Sequence, residues 1–448
     1  MTHQPIIAPI EAPESSVASI ARRARVASRA IAKLSTEARN QLLVAVAQAI
    51  ENGARKILDA NERDCRAAQS GADAGRISQA MLDRLRVTDR GIAQMAEQVR
   101  EVARLDDPLG RTLLVTELDD GLVLYKESCP FGVVGVIFES RPDAVPQLAS
   151  LALKSGNAIL LKGGAEAAHT NQALVSVWRE CLGRFPVVPA DSISLLETRA
   201  DVKEMLALDR DVDLIIPRGS YALVQFIMQH SRIPVLGHSE GICHVYVDRA
   251  ADLDKAIDIA YDAKVQYPAV CNAAETLLVH EAIAEKFLPR IVAKLKNAKV
   301  QIRGDSKTIA LVPKEGIVPA TDEDWATEYS DLILSVKIVD DLDEAIDHVN
   351  RYGSRHTDAI VTEDQEAARR FLNEVDAAGV FHNASTRFAD GYRYGLGAEV
   401  GISTSKLHAR GPMGLEGLTT YKYKLRGDGH TVGPYTRGEK KFKHRRLD

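Results

Sequence analysis

Apolar residues recur three and four apart through Val17–Ile50, with Arg, Lys and Glu filling the positions between them. That spacing lines one face of a helix. Similar patterns run through Arg55–Gln69 and Thr88–Val102, so the first hundred residues are predicted to be helical. Asp106-Asp107-Pro108-Leu109-Gly110 then breaks the helical region. Past it, Leu113–Leu118 and Leu122–Glu127 mix polar and apolar faces and flank Asp119-Asp120-Gly121. An Asp-Gly pair supplies the positive backbone angles of a tight turn, so this segment reads as a hairpin able to project from a domain and pair with a neighbouring subunit.

A third pattern follows, in which short apolar runs alternate with helical ones. Strands are predicted at Gly132–Phe138, Ala158–Lys162, Ser192–Leu196 and Val212–Ile216, with helices at Ala144–Lys154, Ala165–Arg179, Val202–Leu208 and Ser220–His230. From Cys243–Val247 the alternation restarts: helix Leu253–Lys264, strand Glu275–His280, helix Ala282–Lys296, strands near Leu332–Val339 and Ala359–Val361, and a helix over Asp341–Arg351. Apolar strands separated by helices argue for parallel sheets covered on both faces. Gly391–Gly417 is rich in glycine without a period and reads as functional loop. Thr419–Leu425 alternates again and is expected to pair with the hairpin.

Composition narrows the function. The chain has 448 residues, 45% hydrophobic and 27% charged, enough for two large domains with sizeable cores. A net charge of −5 excludes the basic field that nucleic acid or an anionic membrane would need. The basic run Lys440–Arg446 reads as a solvated tail. No run approaches the ~20 apolar residues of a membrane span, and Glu11, Glu14 and Arg22 interrupt any early signal-like stretch. Five irregularly spaced cysteines, with neither a CxxC pair nor metal-ligand spacing, fit reduced thiols in a cytoplasmic protein, with no metal expected.

Two strand ends carry glycines suited to phosphate: Lys162-Gly163-Gly164, and Pro217-Arg218-Gly219-Ser220 where a helix opens. Either alone reads equally as a turn. On parallel strands of one sheet they suggest a dinucleotide crevice, although a G-x-G-x-x-G fingerprint is absent. Cys271 lies in the loop Gln266-Tyr267-Pro268-Ala269-Val270-Cys271-Asn272-Ala273-Ala274-Glu275, flanked by small residues that leave its sulfur approachable. Cys65, Cys181 and Cys243 sit in patterned elements and read as packing; Cys129 precedes Pro130 and reads as structural. A thiol nucleophile combined with a nicotinamide site suggests an acyl carbon carried as a thioester and reduced by hydride to an aldehyde, or the reverse.

These residues resemble the aldehyde dehydrogenase superfamily and, within it, the glutamate-5-semialdehyde dehydrogenase family, from about Ser16 to Gly429. The segments that carry the resemblance are Pro130–Pro142, the Cys271 loop and Ala345–Ile360. The resemblance implies an α/β fold of the aldehyde dehydrogenase type: two parallel-sheet, Rossmann-like domains and a small oligomerisation flap. Residues 1–110 and 128–241 would bind NADP, 242–416 would form the catalytic domain, and 111–127 with 417–428 the flap. It further implies NADPH-dependent reduction of L-glutamyl 5-phosphate to glutamate 5-semialdehyde and phosphate, a homo-oligomer (dimer or tetramer), and a transient contact with glutamate 5-kinase.

Residue by residue, the resemblance makes Cys271 the nucleophile, Lys162 the lysine at the adenosine ribose or its 2′-phosphate, and Gly219 and Ser220 the pyrophosphate turn. Gly163, Gly164 and Arg218 flank these cofactor positions. Glu328 matches the glutamate at the nicotinamide ribose. Ala165 stands where NAD-preferring relatives have a carboxylate, with Glu166 beside it. Gly237 falls at the position of the hydrolytic glutamate, and Glu240 remains within reach. Arg141 falls where relatives have the oxyanion-hole asparagine. It either grips the oxyanion or phosphate or forms a salt bridge with Glu139 or Asp143. Asn272 would offer a backbone N–H to the oxyanion. His356 and Asn383 are candidates for the amino-acid end of the substrate, with a buried structural role as the alternative for His356. His238 and His244 read as structural. An oxidoreductase for another semialdehyde, or a scaffold that binds NADP without catalysis, would share many of these features.

Overall fold

The computed structural model describes residues 16–73, 82, 84–139, 141–238, 240–312 and 316–447. Ser140 and Ser239, each within a segment singled out above, lie outside the described residues. The chain divides into two compact units, Met1–Val235 with Leu415–Asp448, and Leu236–Gly414.

In the first unit the early helical pattern resolves into helices Ser16–Ile31, Thr36–Asn52, Ala54–Asp73 and Asp89–Arg104. The long Val17–Ile50 pattern divides at Ser35, whose hydroxyl accepts from the Ala38 N–H and caps the second helix. Thr88 caps the last of the four through Gly91. The hairpin is β1 (Thr112–Asp119) and β2 (Leu122–Pro130), with Gly121 at φ +72° in its turn. Next come β3 (Val133–Phe138), β4 (Ala158–Lys162), β5 (Ile193–Leu195) and β6 (Leu214–Arg218), which pair in parallel in the order β5-β4-β3-β6. The order reverses between β3 and β6, which makes their carboxyl ends the switch point where such sheets take ligands.

The second unit has a seven-stranded sheet. Its strands are β7 (Cys243–Val247), β8 (Ala274–His280), β9 (Gln301–Gly304), β10 (Ile317–Pro319), β11 (Ile333–Val339), β12 (Thr357–Val361) and β13 (Gly379–His382), in the order β10-β9-β11-β8-β7-β12-β13. All its pairings are parallel. β7, β8 and β12 are buried throughout, as expected for central strands covered on both faces. Within Gly391–Gly417 only the short antiparallel pair β14 (Gly401–Ser403) and β15 (Gly411–Met413) is regular.

The chain then returns to the first unit. β16 (Thr419–Arg426) pairs with β2 along its length. The basic run expected as a solvated tail instead folds onto the hairpin: β17 (Arg445–Leu447) pairs with the outer edge of β1. The hairpin's acidic residues supply the reason. Arg445 meets Glu117 at 2.8 Å, Lys440 meets Asp119 at 3.3 Å, and Lys443 pairs with Asp120. The edge also gives the tail's backbone hydrogen-bond partners. No helix among the described residues is long and apolar enough to cross a membrane.

Candidate active site

In the first unit the predicted cofactor residues collect at the carboxyl ends of the strands. Lys162 closes β4, nearly buried, with Nζ donating to the Gly163 carbonyl at 2.5 Å. Burial pulls its ammonium below the usual lysine value, with the Glu166 carboxylate pulling the other way. An added Cβ would stand 2.1 Å from Asn171 Nδ2 at Gly163, and at Gly164 would meet only the movable carboxylate of Glu166, at 2.0 Å. Arg218 ends β6, and Gly219-Ser220 lead into helix Tyr221–His230. The Ser220 N–H, at the head of that helix, donates to Glu139 Oε2 at 2.8 Å. A carboxylate from the end of β3 thus stands where the helix terminus favours an anion. Arg141 is exposed and pairs with Asp143 at 3.1 Å, the salt-bridge alternative raised for it.

In the second unit the reactive residues gather at the amino ends of neighbouring strands. Helix Leu253–Val265 leads into the loop before β8, and Cys271 stands there, partly exposed. His238 precedes β7 and His356 immediately precedes β12, so the sheet order β8-β7-β12 brings the three together. One ring nitrogen of each histidine and the Cys271 sulfur lie within 4.8 Å of one another, and the rings meet edge to face at 5.2 Å. His238 Nδ1 faces the Ile402 carbonyl at 3.1 Å. A carbonyl only accepts, so Nδ1 carries a proton, and in the neutral form of the ring Nε2 is the basic nitrogen. His356 is 1% exposed; its Nδ1 meets Thr357 Oγ1 at 2.9 Å, while its Nε2 is buried with no hydrogen-bond partner. Burial, then the neighbouring His238, pulls His356 down to about 3, so it is neutral near pH 7.

The Cys271 loop is held from several sides. Gly241 packs against it so closely that an added Cβ would lie 2.1 Å from the Cys271 carbonyl oxygen and 2.3 Å from its Cα. Cys243, fully buried, donates its thiol to the same carbonyl at 3.2 Å. At the base of the loop Lys264 Nζ donates to Glu275 Oε2 at 2.6 Å with both side chains buried, tying the end of the helix to the start of β8. Burial pushes Glu275 up, to about 7, and Lys264 down. Arg387 is buried, donates from Nε to Gln266 Oε1 at 2.9 Å, and lies within Coulombic reach of Cys271. Burial raises Glu240, with the Glu328 carboxylate adding to the shift.

The remaining predicted residues fall differently. Asn272 is buried, and its Nδ2 donates to the Ala389 carbonyl at 2.8 Å. Asn383 spends its amide on backbone: Oδ1 accepts from the Thr362 N–H and Nδ2 donates to the Thr362 carbonyl, both at 3.0 Å. That anchors β13 to the end of β12 and engages both ends of the amide expected to meet substrate. His244 is buried against Asp358 at 3.0 Å, as a structural histidine would be. His238, read as structural from the sequence, instead stands beside Cys271. It, Gly241 and Arg387 were missed because nothing in their local pattern reveals that three strand beginnings and a distant loop converge.

The aldehyde dehydrogenase family profile matches residues 1–313 and 318–422, and the chain belongs to that family. Its relatives are more specific. A gamma-glutamyl phosphate reductase of Natronomonas pharaonis is 56% identical over 427 residues, covering 95% of this chain and 96% of its own. One from a Cyanothece species is 56% identical over 433 residues, covering 96% and 98%. The crystal structure of the gamma-glutamyl phosphate reductase of Thermotoga maritima superposes with a TM-score of 0.90 at 41% identity, covering 93% of this chain and all of that one.

Proposed function

We propose that this chain reduces L-glutamyl 5-phosphate to L-glutamate 5-semialdehyde and phosphate, the second step of proline biosynthesis from glutamate, with NADPH as reductant. The observation that carries the reading is the Cys271–His238 pair at the mouth of β7 and β8, in a chain more than half identical to gamma-glutamyl phosphate reductases.

Lys162, with Gly163 and Gly164, would hold the adenosine ribose and its 2′-phosphate. Arg218, Gly219 and Ser220 would hold the pyrophosphate at the helix terminus, and Glu328 the nicotinamide ribose. The fit rests on the cationic Lys162 at the end of β4 and on the Ser220 N–H at the head of helix Tyr221–His230, where a carboxylate already sits. When bound, the reduced nicotinamide supplies a hydride. His238 Nε2 takes the thiol proton of Cys271, and the sulfur attacks the acyl carbon. The C–O bond to phosphate breaks, phosphate leaves, and the glutamyl group stays on Cys271 as a thioester. After reduction to a thiohemiacetal, the C–S bond breaks and Cys271 is restored as the aldehyde departs. The Asn272 backbone N–H serves the oxyanion, and Arg387 supplies positive charge for the anionic substrate. His356, neutral and buried, fixes the walls around the sulfur. A reduced nucleophilic thiol requires a reducing compartment such as the cytoplasm. The flap of β1, β2 and β16 would serve a homo-oligomer, dimer or tetramer. The lability of the acyl phosphate makes a transient contact with glutamate 5-kinase useful.

Phosphate dependence tests the reading. With pyrroline-5-carboxylate and NADP, steady NADPH formation should require inorganic phosphate to release the glutamyl group. Turnover at the same rate without phosphate would instead indicate an oxidoreductase that hydrolyses its thioester.

A further inference from the structure

Three features at the Cys271 cluster go beyond what reduction requires. Two imidazoles, rather than one, share the neighbourhood of the sulfur, with all three donor atoms within 4.8 Å. Each imidazole has its Nδ1 beside an oxygen, that of His238 by the Ile402 carbonyl and that of His356 by the Thr357 hydroxyl. Metal-binding histidines are oriented in this way, with the far nitrogen fixed by an outer-shell partner. The His356 Nε2 is also buried without any hydrogen-bond partner, which is unfavourable for a polar atom so placed. A cation bound through Nε2 would give that atom its partner.

We propose that Cys271, His238 and His356 form a reversible binding site for a borderline-soft divalent cation, Zn²⁺ above all, which caps the sulfur. Two nitrogens and a thiolate suit zinc and not magnesium or calcium, which take oxygen ligands. Tetrahedral ligands at about 2.1 Å (nitrogen) and about 2.3 Å (sulfur) stand roughly 3.5 Å apart, so closing the site takes on the order of 1 Å of side-chain movement. Binding exchanges the thiol proton for the metal: the S–H bond breaks, the proton goes to solvent and the sulfur lone pair goes to zinc. The fourth position stays open to water. Inhibition by the bound metal rests on the reading of Cys271 as nucleophile; the site itself does not.

The test uses Co²⁺ as a spectroscopic stand-in, titrated into the metal-free full-length protein without oxygen. One equivalent per chain should produce a thiolate-to-cobalt charge-transfer band that Zn²⁺ removes by competition. The band should vanish in Cys271→Ser. In His238→Asn, at a partly exposed position, affinity should fall by more than the roughly 10- to 100-fold typical of losing an outer-shell partner. A parallel experiment needs no variant: Zn²⁺ should slow iodoacetamide alkylation of Cys271, read by peptide mass, and a chelator should restore it. A charge-transfer band that survives in Cys271→Ser, unchanged affinity in His238→Asn, or alkylation indifferent to Zn²⁺ would each overturn the proposal. If the band depends on Cys271 yet Cys271→Ser still reduces substrate, the metal site stands and the nucleophile assignment falls.

Discussion

The two units place their working residues at opposite ends of parallel strands. In the first, Lys162, Glu139 and the Arg218-Gly219-Ser220 turn follow the carboxyl ends of β4, β3 and β6, where the head of helix Tyr221–His230 presents N–H groups. Phosphate binding can therefore draw on backbone dipoles. In the second, His238, Cys271 and His356 precede β7, β8 and β12. Side chains surround the thiol there, and His238 and Arg387 are the groups in position to act on it. The candidate anion site of the first unit is thus framed by backbone, and the Cys271 cluster of the second by side chains.

Substitutions can break this contrast. The largest effect should come from Cys271→Ala, which should lower kcat on the order of 10⁴-fold or more with cofactor affinity intact, measured by steady-state kinetics and cofactor titration. Gly241→Ala should push the Cys271 loop aside, because the new Cβ meets Cys271 backbone rather than a movable side chain. A displacement near 1 Å should cost about 10²-fold in kcat while cofactor binding in the other unit holds. A loss confined to cofactor KM would contradict the assignment.

Acid should sharpen the contrast further. The two histidines that burial drives down, His348 to about 2 and His356 to about 3, both belong to the second unit. Each takes up a proton more readily when unfolded, near 6.5, than when folded. Their contribution is therefore intact above pH 6.5 and drains as pH falls below it, at about 1.4 kcal/mol per pH unit for each. By pH 5 the loss is about 2 kcal/mol per histidine. Trp325 reports on the second unit and Trp178 on the first, so Trp178→Phe leaves fluorescence that follows the second alone. Its acid midpoint should move down in His348→Gln.

The smallest effect concerns Glu139, whose carboxylate occupies the Ser220 N–H. Removing that charge with Glu139→Gln should tighten NADPH binding about 2- to 5-fold, matching the 0.3–1 kcal/mol typical of a charge at a helix end. Weaker binding would mean that Glu139 shapes the site rather than competing for it.

The strand–helix alternation was legible in sequence because central strands buried on both faces are unbroken apolar runs; Ala158–Lys162 and Cys243–Val247 match the structure end to end. Short elements at the sheet edge were not. β9, β10 and helix Gln365–Glu374 bury only a few residues each, leaving too little pattern to see. The tail strand β17 was hidden because its pairing depends on distant acids at Glu117, Asp119 and Asp120. At the site, Cys271 stood out through its loop and family motif. His238 and Gly241 did not, because their roles come from the adjacency of β7 and β8 rather than from their own neighbours in sequence.

The most direct test is to catch the thioester. Incubated with pyrroline-5-carboxylate and NADP but no phosphate, then quenched in acid and digested, the protein should carry one glutamyl adduct per chain on the Cys271 peptide. NADPH should form in a matching single-turnover burst. Continued turnover with that peptide unmodified, or an adduct on another residue, would contradict the account.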